Sequence, residues 1–197
     1  MSQDHPGDLR RWRRLSTRQV FRSPWATLRE DTIIFPNGQE STYSVFELGQ
    51  CVGVLPLLDD GSALLVRQYR YIGDHFPWEM PTGNIAEGES PEQAANRELG
   101  EEAGYHAATL EPLGRFHTSK AHCDEVAHLF AGRGLSSVQA KHDATEEIER
   151  AVFPFPDVLA MVLDGRIVDS MTIIAVLRVA LVRAVAPAGP SAMGDAG

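Results

Sequence analysis

The sequence has few cysteines, no surplus of positive charge and no long apolar run. With only Cys51 and Cys123 among 197 residues, a disulfide framework is not expected. The formal net charge of −9 argues against broad binding to nucleic acid. The most apolar late stretch, residues 171–185, contains two arginines and is shorter than the ~20 apolar residues of a membrane span. Because no apolar leader is recognisable, we expect a cytoplasmic protein without membrane partners.

The length and composition favour one main domain with a small N-terminal unit. A chain of 197 residues with 43% hydrophobic content can bury a single core. The predicted organisation is a flexible start at 1–9, a β unit at 10–48, a main domain at 49–185 and a disordered tail at 186–197. The arginine-rich segment 9–18 is predicted to be a solvated arm, and contact with phosphate or an acidic partner is the alternative.

Turn residues between apolar runs predict two hairpins and a mixed sheet. Pro36-Asn37-Gly38 separates strands at 25–35 and 41–46, and Asp59-Asp60-Gly61 separates strands at 52–58 and 63–66. Further strands are predicted at 110–116, 125–129 and 149–153, and helices at 156–163 and 169–184. The first hairpin is predicted to form a small antiparallel N-terminal sheet. Together these strands and helices predict an α+β fold with a mixed sheet between helices.

A loop followed by a helix carries the strongest chemical signal. Ser90, Pro91 and Gln93 form a capping box with proline at the first helical position, so a helix should begin near residue 91. Gly104 can take the left-handed conformation that ends it after residue 103. Gly83 lies at the start of the loop.

Three glutamates on this helix create an electrostatic conflict. Glu98, Glu101 and Glu102 have the spacing i, i+3 and i+4, which places them on one helical face. Like charges at this spacing cost about 0.2–0.5 kcal/mol per pair, and the C-terminal end of the helix dipole adds to that cost. A hard divalent cation resolves the conflict. Oxygen ligands without neighbouring His or Cys favour Mg²⁺ or Mn²⁺ over Zn²⁺.

The order of residues in this segment resembles the signature of the Nudix hydrolases. The matching positions are Gly83, Glu89, Arg97, Glu98, Glu101, Glu102 and Gly104. Tyr105 departs from the pattern, since the family prefers an aliphatic residue there. The resemblance implies an α/β/α sandwich and metal-dependent hydrolysis of a nucleoside diphosphate linked to another group. It implies that Arg97 and Glu89 hold the loop and helix together. The implied metal ligands are Glu98, Glu101, Glu102 and the carbonyl of Thr82, and Glu101 and Arg97 also count among the catalytic residues.

Segments at 66–71, 78–83, 124–130 and 161–174 resemble the branch of ADP-ribose and nucleoside diphosphate sugar pyrophosphatases. By this resemblance the N-terminal sheet completes the site across a homodimer. Trp25 and Tyr43 would sandwich the base, with simple packing as the alternative. The remaining implied contacts are a diphosphate clamp by Arg67 and Arg70, of which one is expected to be a plain surface charge, and a sugar or structural contact by Glu79.

A late acidic loop is the predicted source of the catalytic base. Glu146 and Glu147 are the candidates, Glu146 is slightly favoured, and a plain acidic loop is the alternative. Residues 118–122 lack the proline and glycine that ADP-ribose-selective members carry, so other nucleotide sugars such as GDP-mannose stay open. Two further alternatives are hydrolysis of oxidised nucleoside di- or triphosphates and a non-catalytic nucleotide sensor. The intact glutamates of the signature argue against the sensor.

Overall fold

The computed structural model describes residues 10–139 and 147–185. The strands are β1 (Arg13–Arg22), β2 (Thr27–Ile34), β3 (Glu40–Glu47), β4 (Gln50–Pro56), β5 (Ala63–Arg67), β6 (Trp78–Glu79), β7 (Thr82–Asn84), β8 (Tyr105–His117), β9 (Val126–Ser137) and β10 (Glu149–Phe153). The helices are α1 (Pro91–Glu98), α2 (Phe155–Leu163) and α3 (Ser170–Val185), and a π-helical turn (Leu99–Ala103) directly follows α1. The described residues divide into unit 1 (10–50 and 117–126) and unit 2 (51–116, 127–139 and 147–185).

Unit 1 contains an antiparallel sheet in the order β1-β2-β3. The predicted hairpin is present: β2 and β3 pair around a turn in which Gly38 has a φ of 86°. The prediction of a solvated arm at 9–18 is wrong from Arg13 onward, because this segment is part of strand β1. All ten residues of β1 are nevertheless exposed. Backbone pairing with β2 needs no buried side chains, so this segment has no apolar pattern of period 2.

Residues 117–126 join the N-terminal sheet within unit 1. The Phe46 N–H donates to the carbonyl of His122 at 2.9 Å, and the Asp124 N–H donates back to the carbonyl of Phe46 at 3.1 Å. The Asp124 carboxylate also accepts the N–H of Leu48 at 2.9 Å. The predicted main domain at 49–185 includes these residues. Most of these contacts are between backbone groups, which leave no pattern in the sequence.

Unit 2 has helices on both sides of its strands. Its sheets have the orders β10-β5-β6 and β7-β4-β9-β8. Along β5, Ala63 and Leu65 pack in a buried cluster with α2 and α3, whereas Leu64 and Val66 pack in a second cluster with α1. This alternation is that of a strand buried on both faces. The predicted α+β class is confirmed.

Most predicted elements of unit 2 are present with shifted ends, but the predicted second hairpin is wrong. Strands β4 and β5 lie in different sheets and, among the described residues, share only the single bridge between Leu57 and Ala63. The strands at β8 and β9 are longer than predicted, and the short strands β6 and β7 were not predicted. Two-residue and three-residue strands carry too little periodicity to be recognised. Within the described part of the chain, no helix is both long and apolar enough to cross a membrane.

Candidate active site

The glutamates lie where α1 passes into a wider turn. The predicted capping box is present, since Ser90 Oγ accepts the Gln93 N–H at 3.2 Å and the Gln93 side chain accepts the Ser90 N–H at 2.8 Å. After Glu98 the chain forms a π-helical turn, which Gly104 ends with a φ of 77°. The last turn of the predicted helix is therefore π-helical and not α-helical. The sequence does not show this difference, because the same capping residues can begin and end a helix of either geometry. Such π-helical turns are frequent at functional sites.

Arg97 ties the loop to the helix with one guanidinium group. Its Nε and Nη2 donate to the two carboxylate oxygens of Glu89, each at 3.0 Å, and Nη2 also donates to the carbonyl of Asn84 at 2.8 Å. Its Nη1 donates to Glu98 at 2.6 Å and to Glu101 at 3.0 Å. The hydrogen bonds from Arg97 hold the pKa of Glu89 below its ordinary value of 4.5. Arg97 therefore offsets the charge of its neighbours and shapes the loop.

Glu102 is held by residues other than Arg97. It is only 6% exposed. One carboxylate oxygen accepts the Thr82 N–H at 3.0 Å, and the other accepts Nε2 of Gln68 at 3.3 Å. Arg150 Nε donates to the Glu102 backbone carbonyl at 2.7 Å. Neither Gln68 nor Arg150 is among the residues predicted from the sequence to form the site. Gln68 lies in a segment that carried the family resemblance, whereas no sequence signal marks Arg150.

Gly83 leaves the space that Glu98 occupies. A Cβ placed on Gly83 would overlap the carboxylate carbon and both oxygens of Glu98. Any side chain there would push this carboxylate away. Because Glu102 accepts the N–H of the preceding residue, Thr82, two carboxylates of the helical segment lie against consecutive residues of β7.

The donor set fits a hard divalent cation. The carboxylates of Glu98, Glu101 and Glu102 and the carbonyl of Thr82 supply oxygen ligands of the kind that Mg²⁺ and Mn²⁺ prefer. In residues 10–139 and 147–185, no three Asp, Glu, His or Cys side chains are placed to share one ion. Arg97 holds two of the three carboxylates, and the third is held by Thr82 and Gln68.

The two predicted clamp arginines each contact a carboxylate in unit 2. Arg70 Nε donates to both carboxylate oxygens of Glu79, at 3.0 and 3.2 Å, and Glu79 is 6% exposed. Arg67 Nε donates to Glu149 at 3.1 Å, and its guanidinium lies 4.8 Å from the ring centroid of Trp78. In this structure Glu79 therefore has a structural partner. Both arginines are held in defined orientations.

A cavity next to Arg67 contains one of the two candidate bases. Its volume is about 540 Å³, and the described residues of its lining are Arg67, Phe76, Glu147, Ile148 and Glu149. Arg67 and Glu147 therefore line the same cavity. Glu146 lies outside the described residues.

The two predicted base-stacking residues lie in unit 1. Trp25 is 85% exposed. Tyr43 donates its hydroxyl to the carbonyl of Ala121 at 2.8 Å, and its ring meets Trp12 edge to face at 5.9 Å between centroids. Trp25 is therefore open to a ligand, whereas Tyr43 is already packed.

Comparison with known proteins agrees with this geometry. Residues 47–170 match the NUDIX domain, and residues 12–46 match the nucleoside diphosphate sugar hydrolase N-terminal domain. A methanol dehydrogenase activator of Bacillus methanolicus is 33% identical over 172 residues, which are 86% of this chain and 93% of that protein. An ADP-ribose pyrophosphatase of Bacillus subtilis (strain 168) is 30% identical over 164 residues, which are 82% of this chain and 89% of that protein.

A solved structure supports the fold. The crystal structure of an ADP compounds hydrolase matches with a TM-score of 0.81 at 22% identity and covers 90% of this chain and 97% of that chain. The chain belongs to the Nudix family and is a Nudix pyrophosphohydrolase. Within that family it carries the N-terminal domain of the nucleoside diphosphate sugar hydrolases. The predicted family is thus confirmed, and Nudix hydrolases generally need a divalent metal.

Proposed function

We propose that this protein hydrolyses the pyrophosphate bond of ADP-ribose or a related nucleoside diphosphate sugar, with Mg²⁺ or Mn²⁺, and releases a nucleoside monophosphate and a sugar phosphate. The observation that carries the proposal is the placement of Glu98 and Glu102 against the consecutive residues Gly83 and Thr82. The substrate class is supported by the matched N-terminal domain and by the similarity to an ADP-ribose pyrophosphatase.

The proposed ligands of the cation are Glu98, Glu101, Glu102 and the carbonyl of Thr82. A bound divalent cation neutralises charge on pyrophosphate oxygens and lowers the pKa of bound water. Arg97 keeps its neighbouring carboxylates close together through its hydrogen bonds. Without Arg97 their mutual repulsion would open the turn.

The substrate contacts follow from the arginines and the exposed aromatic residue. Arg67 would meet the diphosphate from the wall of the 540 Å³ cavity, and Arg70, oriented by Glu79, would add donors. Trp25 is proposed to stack on the base across a homodimer, since an exposed tryptophan offers a free ring face. Tyr43 is the second proposed stacking residue, and it pairs with Asp31 further along the same sheet. The homodimer and a cytoplasmic location are parts of this proposal.

The proposed chemical step is attack of water on one phosphorus of the diphosphate. A P–O bond to the water oxygen forms, the bridging P–O bond breaks, and a carboxylate takes the proton of the water. Glu146 or Glu147 is proposed as this base. Glu147 is supported by its place in the lining of the cavity that contains Arg67.

A panel of substrates tests the proposal directly. The protein would be incubated with ADP-ribose, GDP-mannose, other nucleotide sugars and an oxidised guanine nucleotide, with Mg²⁺ or Mn²⁺, and the products separated by chromatography. We expect a monophosphate and a sugar phosphate from at least one nucleotide sugar, and no product when the metal is chelated. Faster turnover of the oxidised nucleotide, or binding of a nucleotide sugar without turnover, would overturn the proposal.

A further inference from the structure

Gln68 is a buried polar residue next to the proposed metal ligands. It directly follows β5 and is 8% exposed. Its Nε2 donates to Glu102 at 3.3 Å, in a contact buried on both sides. A buried amide is retained only when its hydrogen bonds are made, because an unsatisfied amide costs about 1–3 kcal/mol. The hydrogen bond to Glu102 therefore helps to stabilise the Gln68 amide in its buried position.

The Glu102 carboxylate accepts a hydrogen bond at each of its two oxygens. The Thr82 N–H meets Oε2, and the Gln68 amide meets Oε1. The last torsion of a glutamate side chain is soft, so a carboxylate held at one oxygen can rotate. Two donors on two oxygens stop this rotation. An ionised carboxylate has about four lone-pair sites, so both oxygens keep acceptor capacity for a cation.

The amide of Gln68 is suited to this task by its lack of charge. Arg97 meets Glu98 and Glu101 with a positive charge, which competes with a cation for the same oxygens. A neutral donor orients a carboxylate without such competition. Gln68 therefore prepares Glu102 for a cation in a way that an arginine or lysine at this position would not.

We propose that Gln68 is a positioning residue that holds the Glu102 carboxylate in the orientation that binds the divalent cation. The proposal rests on the metal assignment made under the proposed function. Residues that hydrogen-bond a metal ligand typically change metal affinity or activity about 10–100-fold when they are replaced. We expect Gln68→Met, which keeps the size but lacks the donor, to weaken binding of Mn²⁺ by about tenfold or more.

The measurement is Mn²⁺ binding to the nucleotide-free protein, followed by electron paramagnetic resonance of the free ion. Gln68→Leu is the second variant, because it also removes the donor and adds no charge to the site. Gln19→Met is the matched control, since Gln19 is exposed on β1. Weaker Mn²⁺ binding is expected in both Gln68 variants and not in the control. With chelator present, the Gln68 variants should unfold at a lower temperature than the control, because the Glu102 carboxylate loses a buried hydrogen bond. Turnover of Gln68→Met should nevertheless recover at high Mn²⁺.

Each other outcome overturns a defined part of the inference. If Glu102→Gln loses Mn²⁺ but the Gln68 variants bind it like the unsubstituted protein, the role of Gln68 is wrong and the metal site stands. If the unsubstituted protein binds no Mn²⁺, both the metal assignment and the role of Gln68 are wrong. If turnover of Gln68→Met stays low at saturating Mn²⁺, Gln68 does not act through metal affinity. If Gln68→Met does not fold, Gln68→Leu alone decides by the same criterion.

Discussion

Glu98 and Glu101 are held by different contacts from those that hold Glu102. On the arginine side, Glu98 and Glu101 contact the charged Arg97, and the Glu101 side chain is 41% exposed. On the amide side, Glu102 is 6% exposed and accepts hydrogen bonds from Thr82 and Gln68. The arginine side can exchange partners when another cation arrives, whereas the amide side is already fixed. One site thus combines an adjustable pair of carboxylates with a rigid one.

The strongest test of this difference is Glu102→Gln. The change removes the charge that a cation needs and places an amide N–H against either the Thr82 N–H or the Gln68 amide. We expect turnover of the nucleotide sugar to fall by at least about 100-fold, with the fold retained. Steady-state kinetics and circular dichroism would measure both. Glu98→Gln, on the arginine side, should be the less severe change, and equal effects would remove the distinction between the two sides.

A pair of glycine variants separates site geometry from backbone strain. Gly83→Ala places a Cβ in the space of the Glu98 carboxylate, so we expect turnover to fall about 10–100-fold. Gly88→Ala meets no atom within 4 Å but sits at a φ of +81°. It should cost about 1–2 kcal/mol of stability and leave turnover unchanged. Kinetics and urea unfolding of both variants would decide, and a fully active Gly83→Ala would contradict the assignment of Glu98.

Replacing Arg97 with lysine tests the shaping role of the arginine side. Lysine keeps the positive charge but cannot bind both oxygens of Glu89 and the carbonyl of Asn84 together. We expect the free energy of unfolding to fall by about 1–2 kcal/mol, a value reduced for the partial exposure of Arg97. Turnover should fall only several-fold. Arg166→Lys, in an exposed pair with Asp164, is the control and should change neither quantity.

The smallest expected effect is on acid stability. The Arg97 hydrogen bonds lower the pKa of Glu89 in the folded protein below 4.5. A carboxyl group with a lowered folded pKa stabilises the protein above its unfolded pKa, and this contribution disappears as the pH falls through the folded pKa. Glu89→Gln should therefore be less stable than the unsubstituted protein near pH 7, and the difference should shrink as the pH falls below 4.5. Urea unfolding at pH 7 and at a series of lower pH values would measure it, and a difference that does not shrink in acid would contradict the pairing.

The sequence reveals those features of the fold and the site that depend on neighbouring residues. The hairpin around Gly38, the capping box of Ser90 and the order of glutamates in α1 are all visible because each is set within a few positions of the chain. The roles of Gln68 and Arg150 are not visible, since these residues meet Glu102 from distant positions. Strand β1 was not predicted for a related reason, since its position depends on pairing with β2 and not on a buried face.

The π-helical turn at Leu99–Ala103 restricts the length of this segment more than its composition. Its backbone bonds span five residues where an α-helix spans four, so the turn contains one more residue than regular geometry would allow. Deleting a single residue between Glu98 and Gly104 would restore a regular helix and rotate Glu102 away from Thr82. The number of residues between Glu98 and the closing glycine is therefore as much a requirement of this segment as the identities of its glutamates.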